Sequence, residues 1–445
     1  MEEQLKKTEE QTIEDTCTQE QVEPLNAENL VEKPSRKQNF IDKYKKFENA
    51  WTRGENAVGR FFVKIQYPLL FVFITIIGFV LRASMFDIRT GDYNSFLIKW
   101  FNRIKENGGF LALGEKIGDY TPAYFYILAF LTYLPFNSLY SIKVVSCLFD
   151  ILLAVSATLC AWQFSKNKKI SVAVYAIVTF LPTVFFNSGA WAQCDSIYVA
   201  FAMLCVYCLM KKKNFSAMVM YGISFSFKLQ AVFLAPLLGV LWFKRKLPRT
   251  APLVALGVFF LSCVPAWIFG RNLWEVLTTY VAQAGQYSNR LTLNAPTILA
   301  LFGSMRSDRI EHISSAFVIL TLAVTVMVMW IYGHTDLKKD TIIDFGLLFA
   351  LGVPYLLPHM HERYFYMADI LAIIYGVLHR KRWYTVLLTQ FCSFYVVCEY
   401  LFDLGYLSLG LVALIEGINI TLLCLDLWKD YSKRGRKPEL LTDKR

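Results

Sequence analysis

The chain is poor in charge and in histidine. Only 18% of its 445 residues are Asp, Glu, Lys or Arg, and five are histidine. An ordinary soluble domain carries about 25% charged residues, so the composition argues against a soluble enzyme, a nucleic-acid module and a disordered chain. Several catalytic signatures are also missing. There is no P-loop, Rossmann glycine fingerprint, Gly-x-Ser-x-Gly elbow or His-Glu-x-x-His motif. ATP-driven transport and serine hydrolysis are therefore unsupported. No repeat recurs at a fixed period, and no long apolar run precedes residue 66. A secretory signal is not expected from such a start.

Grease is abundant instead: 55% of residues are hydrophobic and 16% aromatic. Twelve apolar stretches lie between about 66 and 428. A helix needs about 20 apolar residues to cross a bilayer, and several stretches fall short. The fold expected is an all-α polytopic membrane protein of roughly 10–13 membrane helices, some broken or half-depth. Lys+Arg exceed Asp+Glu by 46 to 35, a net charge of +11. The excess clusters at the ends of apolar runs, as at Lys166, Lys168 and Lys169, at Lys211–Lys213 and at Arg380–Arg382. This is the pattern that orients a chain in a membrane. Nine of the ten cysteines, all but Cys17, lie in or beside apolar runs, where a thiol packs as a small hydrophobe.

Three regions are expected. Residues 1–60 form a cytoplasmic, largely disordered tail, acidic first and basic later. Residues 61–430 form the transmembrane domain, and 431–445 a basic cytoplasmic tail. If every basic cluster is cytoplasmic, 215–243 must begin and end on one side as a broken hairpin. Polar chemistry then gathers on four outer segments: 87–121, 188–195, 270–312 and 359–363.

The first outer loop carries Tyr93, Phe96, Leu97, Trp100 and Ile104 at helical spacing, with Lys99, Arg103 and Lys105 largely off that stripe. An amphipathic interfacial helix follows. Asp92 at its start either caps the helix or takes a proton from a hydroxyl. Asp119, before Pro122, caps a helix, orients Asp92 or contacts an acceptor. Trp191, Gln193 and Asp195 lie in a polar turn: Trp191 stacks on a sugar ring while Asp195 or Gln193 bonds its hydroxyls, or the turn is an aromatic belt with a cap. Lys228 sits far inside an apolar run, where an ammonium costs about 2.5–3.5 kcal/mol. It needs a counter-charge, either a phosphate anion or Asp150. His359, His361, Glu362 and Arg363 crowd one turn. Zinc ligation is conceivable, but no second cluster completes the ligands and Arg363 favours an anion.

Four pieces in order resemble the C-type glycosyltransferase superfamily. They are Gly91-Asp92-Tyr93, Asp119-Tyr120-Thr121-Pro122, Phe227-Lys228-Leu229-Gln230 with Ala235-Pro236, and His359-Met360-His361-Glu362-Arg363. The chain is similar to the asparagine-linked-glycosylation glucosyltransferases that use dolichyl-phosphate-glucose, and to bacterial mannosyltransferase-like membrane proteins. Thr121 stands where a second proline is usual, and Arg363 where lysine is usual. The resemblance implies a multi-pass membrane enzyme, in the cell membrane if bacterial or the endoplasmic reticulum if eukaryotic. It would move a hexose from a polyprenyl-phosphate donor to a glycan, lipid-linked or protein acceptor on the outer face. Transfer would invert the anomeric centre and use no metal or cofactor. Asp92 matches the family's catalytic base. Lys228, His361 and Arg363, with His359, would then hold the donor phosphate, and Trp191, Gln193, Asp195 and Glu362 the sugar. Asp119 would serve the acceptor or act as a second acid. A polyprenyl-lipid or glycolipid flippase would also need broken helices and buried charge.

Overall fold

The structure is a computed structural model that describes residues 36–284, 289–303, 307–332 and 338–434. Its helices, in chain order, are α1 Arg36–Ala83, α2 Ile98–Glu106, α3 Pro122–Thr132, α4 Ser138–Ser165, α5 Lys168–Thr179, α6 Pro182–Phe185, α7 Asp195–Met210, α8 Asn214–Phe227, α9 Ala235–Phe243, α10 Ala251–Ile268, α11 Leu273–Leu277, α12 Thr279–Ala284, α13 Ser307–Tyr332, α14 Lys339–Leu356, α15 Tyr366–Leu378, α16 Trp383–Phe402 and α17 Leu409–Arg434. Two two-residue strands, β1 Thr292–Leu293 and β2 Met360–His361, pair in parallel. The protein is an all-α polytopic membrane protein.

Among the described residues, six helices are long and apolar enough to cross a bilayer. The stretch Lys168–Ala190 adds a span bent by 48°. Four apolar helical stretches are shorter, such as Pro122–Thr132 and Asp195–Met210. At 1.5 Å per residue, 11 to 16 residues reach about 16–24 Å, less than the roughly 30 Å hydrocarbon core. The expected mixture of full and partial spans is therefore what the chain forms.

The chain divides between Ile65 and Gln66. The described part of the first unit is helical from Arg36, so 36–60 are not the disordered tail expected. Phe40, Tyr44, Phe47 and Trp51 recur there at helical spacing and are exposed. Residues 1–35 and 435–445 lie outside the described residues.

In the second unit, Arg82 on α1 meets Asp150 on α4 at 2.7 Å, and the Ser188 hydroxyl donates to the same carboxylate oxygen. Arg82 also donates to the Gly78 and Thr179 carbonyls at 2.9 Å. This buried network joins three segments, and it takes Asp150 away from Lys228.

The break after α8 falls at Lys228, in extended backbone (φ −148°, ψ 141°). A helix end leaves carbonyls without intrahelical partners. Here the Thr121 hydroxyl donates to the Ser226 carbonyl at 2.6 Å, and Tyr280 donates to the Phe225 carbonyl. Proline at 121 could not make that bond, so the threonine helps stabilise the break. Thr121→Val is expected to cost about 1–3 kcal/mol by leaving a buried carbonyl unpaired, read from thermal unfolding in detergent. A 3₁₀ turn, Leu229–Leu234, follows and leads into α9. Helix α9 packs against α13 and α14, and not to any comparable extent on α8. The run is broken where expected, but its arms do not form a packed hairpin.

Candidate active site

The 87–121 segment forms the amphipathic helix expected of it. A π-turn, Tyr93–Leu97, leads into α2, and Tyr93, Leu97, Trp100 and Ile104 are buried while Lys99, Arg103 and Lys105 stay exposed. Asp92 precedes the turn but makes no capping hydrogen bond. Its carboxylate faces other segments. Oδ2 accepts from Trp191 Nε1 at 3.0 Å and Gln193 Nε2 at 2.8 Å, and Oδ1 from Tyr400 Oη at 2.9 Å. An Nη1 of Arg363 lies 3.6 Å from Oδ2.

A second π-turn, Phe186–Ala190, brings up the polar turn. Its Asn187 amide donates to Asp195 Oδ2 at 2.9 Å, and Asp195 opens α7. Lys228 Nζ lies 2.6 Å from Asp195 Oδ1, with both side chains almost fully buried. Its ammonium also sits 5.5 Å from the Tyr120 ring centre. The phenol of Tyr120, just ahead of α3, is pushed up to about 12, chiefly by burial and against the pull of Lys228. It stays protonated at any physiological pH.

The His359–Arg363 turn is fixed by β2. The His359 amide donates to the Leu291 carbonyl at 2.8 Å, and its ring nitrogen Nδ1 pairs with the Arg290 carbonyl. Arg363 donates to Glu362 at 2.9 Å, and its Nε lies 3.8 Å from Asp195 Oδ2. The guanidinium stacks 5.3 Å from the Trp191 ring centre. Yet Arg363 Nε, buried, has no hydrogen-bond partner among the described residues. Among the described residues no three His, Cys, Asp or Glu converge as metal ligands.

A cavity of about 510 Å³ opens beside these groups. Its polar lining includes Asp92, Asp119, Gln193, Lys228, His359, His361, Glu362 and Arg363. Asp119 has neither an ion pair nor a hydrogen bond there among the described residues. Tyr280, Gln283 and Arg290 bring the 270–312 loop to the wall; Gln286 and Tyr287 of the same loop lie outside the described residues. Its apolar lining includes Phe96, Phe233, Val232 and Val318.

Three placements differ from the sequence expectation. Trp191 and Asp195 are buried behind the cavity rather than in its wall. A large indole and an ionised carboxylate so placed are satisfied by other protein groups. Lys228 has Asp195 as counter-charge, and neither Asp150 nor a vacant site for phosphate alone. His359 spends Nδ1 on a backbone carbonyl. Sequence reading missed Tyr400 altogether: it lies 308 residues from Asp92, in a helix that otherwise reads as generic.

Fold and site together define a multi-pass membrane protein with its polar chemistry gathered in the lining of a large cavity. The sequence matches the family model of Glycosyltransferase family 87 over residues 119–357. That is more than half of the chain, so the protein belongs to this family and is a membrane glycosyltransferase. A search of curated proteins finds no match. The matched stretch includes Asp119, Trp191, Asp195 and Lys228; Asp92, Arg363 and Tyr400 lie outside it.

Proposed function

We propose that the protein transfers a hexose from a polyprenyl-phosphate donor to a hydroxyl acceptor on the outer face of its membrane, with inversion and without a metal. One observation carries this reading: a carboxylate held by three hydrogen-bond donors shares a cavity with a guanidinium and an ammonium. Asp92 takes the acceptor's proton as the acceptor oxygen bonds to the anomeric carbon. The bond from that carbon to the phosphate oxygen breaks, and its electron pair leaves with the phosphate. Arg363, Lys228 and His361 stabilise that charge. Asp195 takes one of the three donors of the Lys228 ammonium, which leaves capacity for a phosphoryl oxygen. Glu362 and Gln193 remain the sugar-binding side chains in the wall, and Asp119 faces the acceptor. Trp191 and Asp195 serve by holding Asp92, Arg363 and Lys228 in place.

An apolar wall suits a lipid tail. Val232 and Val318 line the cavity and are each 38% exposed, which supports lateral entry from the bilayer. Both termini are assigned to the cytoplasm from the basic loops.

The test is direct. Purified protein in lipid nanodiscs is supplied with radiolabelled polyprenyl-phosphate glucose or mannose and a membrane extract as acceptor. Label is expected to move to the acceptor, and to do so equally in excess chelator. Movement of a fluorescent polyprenyl phosphate between vesicle leaflets with no transfer would favour a flippase instead.

A further inference from the structure

We propose that Tyr400 is a positioning residue that fixes Oδ1 of Asp92 as the atom receiving the acceptor's proton; this rests on the transfer reading above. A carboxylate oxygen offers about two lone-pair sites. Oδ2 already meets Trp191 Nε1, Gln193 Nε2 and, further off, Arg363. Oδ1 accepts from Tyr400 at 2.9 Å. Of the two oxygens Oδ1 is thus the one with capacity for an incoming hydroxyl, and both Asp92 and Tyr400 line the cavity. The proton passes to Oδ1 as the acceptor oxygen bonds to carbon and the phosphate departs.

The way Tyr400 is mounted fits that role. It sits in the last turn of α16. Its ring stacks on Trp191 with centres 4.9 Å apart and planes at 25°. Two residues on, Phe402 packs edge-on against Phe186, 5.1 Å away, and Phe186 begins the π-turn that carries Trp191. The donors to both oxygens of Asp92 therefore come from one packed unit of α16 and the second π-turn. Other charged or titratable groups facing Asp92 are Arg363 with its partners Glu362 and Asp195, and Asp119 and His361 on the cavity wall. Tyr400 lies beyond the stretch that matches the family.

Tyr400→Phe keeps the ring on Trp191 and removes only the hydroxyl. With full-length protein and labelled polyprenyl-phosphate glucose or mannose, kcat is expected to fall about tenfold, the effect of losing a hydrogen bond to a charged group. The KM for donor should change less than about twofold, because the phosphate groups are untouched. A second readout needs no turnover: donor affinity by equilibrium dialysis with the labelled polyprenyl-phosphate hexose should match the parent's. A kcat within twofold of the parent's, or a fall carried by KM and donor affinity instead of kcat, overturns the inference, while transfer that still requires Asp92 leaves the reading standing. Transfer that survives Asp92→Asn removes both.

Discussion

Asp92→Asn is expected to reduce hexose transfer by about 10²–10⁴-fold, the usual contribution of a positioned general base. The folded protein should persist. An asparagine carbonyl can still accept from Trp191 Nε1 and Gln193 Nε2, and the Tyr400 hydroxyl can turn to accept from the new amide. Thermal unfolding should therefore move little while turnover collapses. Donor binding, measured by equilibrium dialysis with a labelled polyprenyl-phosphate hexose, should be retained or improved, because a negative charge near the phosphate has been removed. Parental turnover in this variant would take the base away from Asp92.

Asp195→Ala has the opposite signature: stability falls first. Lys228 would lose its 2.6 Å partner while almost fully buried, and Asn187 would lose its acceptor. Removing one member of a buried pair costs about 3–5 kcal/mol, because the stranded charge has no water to return to. Replacing both members, Asp195→Leu with Lys228→Met, should recover much of that loss, since well-packed apolar groups often substitute for a buried pair. The double variant should unfold near the parental temperature yet bind the phosphorylated donor poorly. If the double variant is as unstable as Asp195→Ala, the pair is not what holds this region together. If it binds donor normally, Lys228 does not touch the phosphate.

Much of the fold was legible because its signals are local. Apolar runs marked the helices, and the basic clusters at both ends of 215–243 marked that run as broken. The aromatic stripe from Tyr93 to Ile104 placed a short helix beside Asp92, where it lies. Other features are set by partners distant in sequence. Whether Asp92 caps its helix or points into a cavity depends on Trp191, Gln193 and Tyr400, and no spacing rule links those positions. The partner of Lys228 was likewise open between a phosphate and Asp150. The structure decides it by giving Asp150 to Arg82 and Asp195 to Lys228. Two carboxylates of similar sequence character thus take different cations, because the second π-turn and the buried Arg82 network fix which helix faces meet.

The sequence by itself determined that this chain lives in a membrane, that its 215–243 run is broken, and which polar residues bilayer insertion would not tolerate without a purpose. Hydropathy and backbone preference act over a few residues, so they can be read along the chain. Only the tertiary structure decided which acid neutralises which base, which of the candidate side chains reach the cavity, and that a tyrosine from the last turn of α16 completes the cradle of Asp92. Those choices depend on contacts a few ångströms long between segments tens to hundreds of residues apart, and packing alone sets them.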